Sequence, residues 1–146
     1  MPYWRLFYHF TWATKGRMIS IEPDWEAELH RVITAKAQAL GAIVYVVGGI
    51  EDHVHLVASV PPKSALADFV GQIKGNSAHF VNHVKAPEAH FAWQTGYGVV
   101  SFGEKNLDMV IQYVKRQREH HSGTTVIPFL ERDESDDAEQ EETQAQ

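Results

Sequence analysis

Two histidines in the middle of the chain have the residue type and spacing of a metal site. His53 and His55 lie two residues apart within EDHVHLV (51–57), an apolar run rich in β-branched residues. In a strand, residues i and i+2 project from the same face. Both imidazoles then point to one side of a sheet and supply half of a metal site, since imidazole is the commonest metal ligand. The alternative is a pair of histidines on a solvated face, and the pair alone does not decide between the two.

A second polar group lies near the end of the chain, on a segment with helical spacing. Tyr113 and Gln117 are four residues apart and share a helix face, which His120 and His121 continue one turn later. A tyrosine, an amide and imidazoles on one stripe are costly to bury without partners. On an ordinary amphipathic helix such a stripe is a solvated polar face, so this helix also needs support from the rest of the chain.

The composition indicates a single globular domain. The chain has 146 residues, 44% of them hydrophobic, and no cysteine. This length is sufficient to bury a real core. The lack of cysteine excludes disulfides and thiolate metal sites, and it is compatible with a reducing compartment. No secretory signal and no apolar run long enough to span a bilayer is present, so we expect a soluble, cytoplasmic protein without a membrane partner.

The net charge of −6 is concentrated at one end of the chain. Residues 131–146 contain eight acids and one base, a net charge of −7, which leaves eleven acids and twelve bases, or +1, for the other 130 residues. The sequence therefore predicts a folded domain over 1–130 and an acidic, disordered tail over 131–146. A nearly neutral domain with local basic clusters does not exclude nucleic acid as a partner.

Hydrophobic periodicity predicts seven elements in the order β-α-β-β-α-β-α. They are a strand within 3–14, a helix over 24–40, strands over 42–50 and 53–60, a helix capped by Ser64 and ended by Pro87, a short strand at the end of 91–101, and a helix over 106–120. The first six form an α+β, ferredoxin-like split β-α-β sandwich, with an antiparallel sheet and helices on one face. The C-terminal helix that carries Tyr113 is an addition to it.

Five motifs occur in the order and spacing of one known family. They are H-x-x-W-x-T-K-x-R at 9–17, the histidine-hydrophobic-histidine motif at 52–56, a segment similar to Lys-Gly-x-Ser-Ser at 74–78, Gly-Tyr-Gly at 96–98, and Y-x-x-x-Q-x-x-H-H at 113–121. From residue 8 to about 129 the chain resembles the HUH single-tyrosine transposases, which mobilise insertion sequences as single-stranded DNA. The REP-associated tyrosine transposases are close relatives. Two departures, Ala78 for a serine and Arg116 for an asparagine, concern DNA contacts and target preference more than cleavage.

The resemblance implies a reaction and a set of residues. His53, His55 and Gln117 would hold one divalent cation, Mg²⁺ or Mn²⁺, with positions left open for phosphate oxygen and water. Tyr113 would attack the phosphorus and form a 5′-phosphotyrosine, leaving a free 3′-OH. The implied partners are single-stranded DNA with hairpin ends and a second copy of the chain. In such a homodimer the tyrosine helix of one subunit can complete the histidine pair of the other.

The remaining polar residues are interpreted more simply. Basic side chains that could meet DNA phosphates, each of which could equally be solvated, are Lys15, Arg17, Lys74, Lys115, Arg116 and Arg118. Tyr97 could stack on a base or pack in its loop. The histidines outside the motif pair that are interpreted as surface residues are His9, His30, His79, His83 and His90.

Two alternatives stay open. One is a domesticated relative that processes chromosomal repeat hairpins by the same chemistry. The other is a non-catalytic ferredoxin-like protein that binds metal and nucleic acid without a covalent step, and the presence of both Tyr113 and Gln117 disfavours it.

Overall fold

A four-stranded antiparallel sheet organises the chain. The computed structural model describes residues 3–117 and 127–133. The strands are β1 (Tyr8–Ala13), β2 (Ile43–Ile50), β3 (His53–Ser59) and β4 (Gly98–Ser101). They lie in the order β2-β3-β1-β4, and every neighbouring pair is antiparallel. This order, together with the two crossover helices, confirms the predicted ferredoxin-like α+β fold.

Helices cover the sheet on both faces. On one face, α1 (Pro23–Ala39) and α2 (Leu66–Phe80) pack over a core that includes Phe10, Trp12 and Leu56. On the other, α3 (Leu107–Lys115) and the short α4 (Pro128–Glu131) pack around Val57. The added C-terminal helix therefore lies opposite the crossover helices. Among the described residues, none of these helices has the length and hydropathy that crossing a bilayer requires.

Strand β3 lies inside the sheet and is buried along its whole length. Val54 and Leu56 point toward α1 and α2, whereas His53, His55 and Val57 point toward α3. Because both faces are covered, the strand has a nearly continuous apolar sequence instead of a clean alternation. The two histidines thus share one face as predicted, and the alternative of a solvated face is wrong.

Helix α3 approaches the sheet closely at one glycine. A Cβ atom added to Gly48 on β2 would lie 2.6 Å from the carbonyl oxygen of Val114, closer than real Cβ contacts. The lack of a side chain at Gly48 therefore lets the C-terminal end of α3 lie directly on β2. This contact sets how far from the sheet the neighbouring Tyr113 lies.

Several predicted boundaries differ from the structure. Ser64 is not the cap of α2, whose N-cap is Ala65 without a side-chain hydrogen bond. The regular helix ends at Phe80 and continues as one π-turn over Val81–Lys85, before Pro87 is reached. The first strand begins at Tyr8; among residues 3–7, Phe7 still accepts a hydrogen bond from the backbone N–H of Phe102, but none is part of the strand.

The boundary predicted at 130/131 falls inside α4. Glu131 is the last residue of that helix, and Asp133 is buried and paired with Arg17. The acidic composition predicts that these residues belong to the tail. Local charge does not indicate that Asp133 has a partner far away in sequence. Residues 134–146 and 118–126, which include the rest of the predicted last helix, lie outside the described residues.

Candidate active site

The two histidines of β3 converge with Gln117 and with one residue that the motifs did not predict. His53 and His55 are only 3% and 0% exposed. The side-chain oxygen of Gln117 lies 3.2 Å from Nε2 of His53. Oε1 of Glu131, from α4, lies 3.4 Å from Nε2 of His53 and 3.0 Å from Nε2 of His55. Three elements that are distant in sequence therefore direct two nitrogens and two oxygens toward one point.

A second layer of contacts orients both imidazoles. Nδ1 of His53 lies 2.7 Å from the carboxylate of Asp52, in the turn before β3. Nδ1 of His55 lies 2.7 Å from Nε2 of His9, on the neighbouring strand β1. Each ring therefore has its Nδ1 engaged with a partner and its Nε2 directed at Glu131. Such partners are typical of histidines that bind metal ions, because they fix the tautomer and the ring orientation.

The electrostatics of the cluster are dominated by burial and by the Glu131 carboxylate. Burial alone would lower the pKa of His53, but its hydrogen bonds to Asp52, Glu131 and Gln117 outweigh burial and raise that pKa to about 9. Burial, followed by the neighbouring charge of His55, lowers the pKa of His9 to about 3. Burial opposes ionisation of Glu131, yet hydrogen bonds from both histidines hold its pKa well below the usual range.

Tyr113 projects from α3 into the same cluster. Its ring stands at 85° to that of His55, with the centroids 6.3 Å apart. Its hydroxyl donates a hydrogen bond to Oε2 of Glu131 and accepts one from the backbone N–H of Ile127 at 3.0 Å. Burial and the Glu131 hydrogen bond raise the pKa of the Tyr113 hydroxyl above its ordinary value. In this arrangement the phenol is held in its protonated form, beside the histidine pair.

A tyrosine, two imidazoles, an amide and a carboxylate lie together at this point, and comparison with known proteins decides the family. The family model described as transposase IS200 like matches residues 2–117. The chain belongs to the IS200-like transposase family. Membership in this family implies DNA cleavage and strand transfer as the general class of activity. The suspected resemblance to single-tyrosine transposases is therefore confirmed.

Individual relatives agree with this assignment. The chain is 27% identical over 121 residues to the ISDra2 transposase TnpA of Deinococcus radiodurans, covering 80% of this chain and 86% of that protein. It is 25% identical over 121 residues to the transposase for insertion sequence element IS200 of Salmonella typhimurium, covering 80% of this chain and 79% of that protein.

Solved structures show the same architecture. A crystal structure of a Deinococcus radiodurans R1 protein described as a transposase has a TM-score of 0.62 and 27% identity, covering 80% of this chain and 95% of that one. A REP-associated tyrosine transposase bound to a REP hairpin has the same TM-score at 14% identity, covering 83% and 74%. The second likeness shows the shared fold.

Two residues of this side-chain cluster are not among those predicted from the motifs. Glu131 was assigned to the acidic tail, although the apolar segment VIPFL (126–130) that directly precedes it is a signal for one more packed element. His9 was interpreted as a surface residue, but it is buried against His55. The alternation of side chains along β1 indicates its position, since His9 lies on the strand face opposite that of Trp12.

The basic residues predicted to meet DNA have different environments. Lys115 and Arg116 are exposed and, together with Gln117, line a cleft of about 420 Å³. Lys15 is exposed, and Arg17 pairs with Asp133 at 3.0 Å. Nζ of Lys74 donates to two loop carbonyl oxygens at 2.7 Å each and so ties α2 to the loop before β4. Arg118 lies outside the described residues.

The other predicted residues are placed as follows. Tyr97 is half-buried against the core under α1 and α2, which favours packing over base stacking. His79 and His83 are exposed, with their rings stacked at 4.2 Å, and His90 is exposed as well, as predicted. His30 is half-buried, unlike the prediction. His120 and His121 lie outside the described residues.

Proposed function

We propose that this transposase cleaves and rejoins single-stranded DNA through a 5′-phosphotyrosine on Tyr113, with a divalent cation bound by His53, His55 and Gln117. The observation that carries the proposal is the convergence of the nucleophile candidate on the histidine pair. The Tyr113 ring stands edge to face with that of His55, and the Gln117 oxygen lies 3.2 Å from Nε2 of His53. These groups come from α3, the segment that follows it and β3, and only folding unites them.

The residues at this point suit a divalent metal ion. Two imidazole nitrogens, an amide oxygen and a carboxylate oxygen form a mixed nitrogen and oxygen donor set, compatible with Mn²⁺ or Mg²⁺. The contacts of both Nδ1 atoms leave both Nε2 atoms as the metal-facing positions. When bound, such an ion polarises the scissile phosphate and offsets the negative charge that develops there.

The chain's own residues account for the bond changes. The oxygen of Tyr113 forms a bond to phosphorus while the bond from phosphorus to the 3′-oxygen breaks. The phenol gives up its proton, and the departing 3′-oxygen gains one. A free 3′-OH can later displace the tyrosine and reseal a strand without another energy source, because the phosphotyrosine conserves the energy of the broken bond. Direct hydrolysis by water would need no covalent tyrosine step.

The proposed substrate is single-stranded DNA that carries hairpins, and the proposed oligomeric state is a homodimer. The REP hairpin is the ligand of the REP-associated neighbour, whose fold this chain shares. In this structure Tyr113 lies beside the histidines of its own chain, which is an arrangement in cis. Completion of the site by the tyrosine helix of a second copy stays a prediction, as does the choice between element ends and chromosomal repeats as substrate.

The polarity of a covalent adduct tests the proposed function. Single-stranded DNA that contains the hairpins flanking the gene is incubated with the full chain and Mn²⁺, labelled at the 3′ end in one reaction and at the 5′ end in another. We expect a denaturant-resistant adduct that carries only the 3′ label, together with a shortened 5′-labelled strand that ends in a 3′-OH. EDTA should prevent both products. Shortened strands without any adduct, on these hairpins and on a random single-stranded pool, would contradict the tyrosine mechanism.

His9 is expected to support metal binding through His55. His9→Phe keeps a ring of similar size in the buried space but removes the nitrogen that lies 2.7 Å from Nδ1 of His55. Loss of such an orienting partner typically weakens metal affinity by about 10–100-fold. Calorimetric titration with Mn²⁺ measures the effect. The control His90→Asn changes an exposed histidine whose φ of 50° asparagine tolerates, and it should bind Mn²⁺ like the wild type. Equal affinities in both variants would refute the role of His9.

A further inference from the structure

We propose that Glu131 is a fourth protein ligand of the metal ion and that its second oxygen holds the Tyr113 hydroxyl beside that ion. This inference rests on the proposed function and deepens it, because the motif residues supply only His53, His55 and Gln117. Glu131 lies beyond the segment 2–117 that the family model matches.

The distances agree with the edges of a coordination shell. Ligand atoms that bind one ion at about 2.1 Å lie about 3.0 Å apart at octahedral angles and about 3.4 Å apart at tetrahedral angles. Oε1 of Glu131 lies 3.0 Å from Nε2 of His55 and 3.4 Å from Nε2 of His53. The ligand atoms of these three residues all lie within 4.8 Å of one another. One ion can therefore contact all three without a rearrangement of the backbone.

Charge balance also favours a carboxylate at this position. Two neutral imidazoles and an amide would leave both positive charges of the ion uncompensated in a site whose histidines are almost fully buried. A buried charge without a partner is costly. The carboxylate of Glu131, whose Oε1 faces both histidine nitrogens, would bring one negative charge to the ion. Asp52 adds negative charge on the far side of the His53 ring, where its carboxylate contacts Nδ1.

The two oxygens of Glu131 have separate contacts. Oε1 faces the histidine nitrogens, whereas Oε2 accepts the hydrogen bond of the Tyr113 hydroxyl. A single rigid carboxylate thus fixes the distance between the metal position and the nucleophile. The backbone N–H of Ile127 holds the same hydroxyl from a second direction. Reacting groups that are oriented before the substrate arrives need less reorganisation during the reaction.

Packing holds Glu131 in this place. The neighbouring Leu130 is fully buried in the cluster that also contains Val57 and Tyr113. After the helix, Asp133 pairs with Arg17. Between them, the carbonyl of Arg132 lies so close to Gly98 that any Cβ there would collide with it. Gly98, the second glycine of the Gly-Tyr-Gly motif, therefore leaves space for the segment that carries Glu131.

Metal binding without DNA tests this inference separately from catalysis. Mn²⁺ is titrated by calorimetry into the full chain as wild type, Glu131→Gln, His53→Ala and the control Glu88→Gln, which changes an exposed carboxylate. Glutamine has nearly the shape of glutamate, so Glu131→Gln tests the charge without removing the side chain. We expect Glu131→Gln to weaken Mn²⁺ affinity at least about tenfold, as His53→Ala should and Glu88→Gln should not.

The outcomes separate the inference from the proposed function. Wild-type affinity in Glu131→Gln, with loss of binding in His53→Ala, would overturn the role of Glu131 and leave the histidine site intact. Faster DNA cleavage by Glu131→Gln at unchanged affinity would also overturn it, since the carboxylate would then only occupy the place of a phosphate. Unchanged affinity in His53→Ala would overturn the metal site itself. Near-ultraviolet circular dichroism of each variant verifies that the fold is retained.

Discussion

Tyr113→Phe is expected to abolish the covalent DNA adduct and to slow strand cleavage by at least about 10⁴-fold, since removal of an enzyme nucleophile has effects of this size or larger. Only one oxygen is lost. The ring keeps its packing in the cluster with Val57, Val110 and Leu130, so the variant should remain folded. It should also still bind Mn²⁺, because His53, His55 and Gln117 are unchanged. Adduct formation on labelled single-stranded DNA and a Mn²⁺ titration measure the two properties.

A second tyrosine provides the matched control for that experiment. Tyr97 lies in the Gly-Tyr-Gly motif and packs against the core on the opposite face of the sheet, away from the histidine pair. Tyr97→Phe should therefore form the adduct at the wild-type rate. If Tyr113→Phe still formed an adduct and Tyr97→Phe did not, the nucleophile would have been assigned to the wrong tyrosine.

Trp12→Ala is expected to cost about 3–5 kcal/mol of unfolding free energy, the usual range for a buried aromatic replaced by alanine. Trp12 is fully buried on β1, facing α1 and α2, and its ring meets that of Trp93 edge to face at 6.0 Å. Since small domains have only about 5–15 kcal/mol of stability in total, the loss should leave the variant marginal or unfolded. Urea unfolding followed by circular dichroism gives the value.

An exposed aromatic residue is the control for Trp12. Tyr3 is 87% exposed, so Tyr3→Ala should change the unfolding free energy by no more than about 0.5 kcal/mol. A comparable loss in both variants would mean that Trp12 does not support the core as its burial indicates. The tryptophan of the H-x-x-W motif is thus a packing residue, whereas the histidine of the same motif belongs to the site.

The order of the elements was readable from the sequence because periodicity is a local property. The periodicity predicts α1 over 24–40 and β3 over 53–60, and the structure has them at Pro23–Ala39 and His53–Ser59. The errors lie where termination depends on context. Ser64 has the chemistry of a cap but does not form one, and α2 changes to a π-turn after Phe80. The local sequence pattern predicts neither the absence of the Ser64 cap nor the π-turn.

The sequence by itself determined which side chains share a face. The spacing of two in a strand set His53 beside His55, and the spacing of four in a helix set Tyr113 and Gln117 on one side, because backbone geometry fixes these directions. Only the tertiary structure decided what meets those faces. His9 reaches His55 from β1, across 46 residues, and Glu131 reaches both histidines from a segment whose composition resembles a disordered tail. Contacts between distant segments depend on how whole layers pack, and local sequence patterns do not encode that.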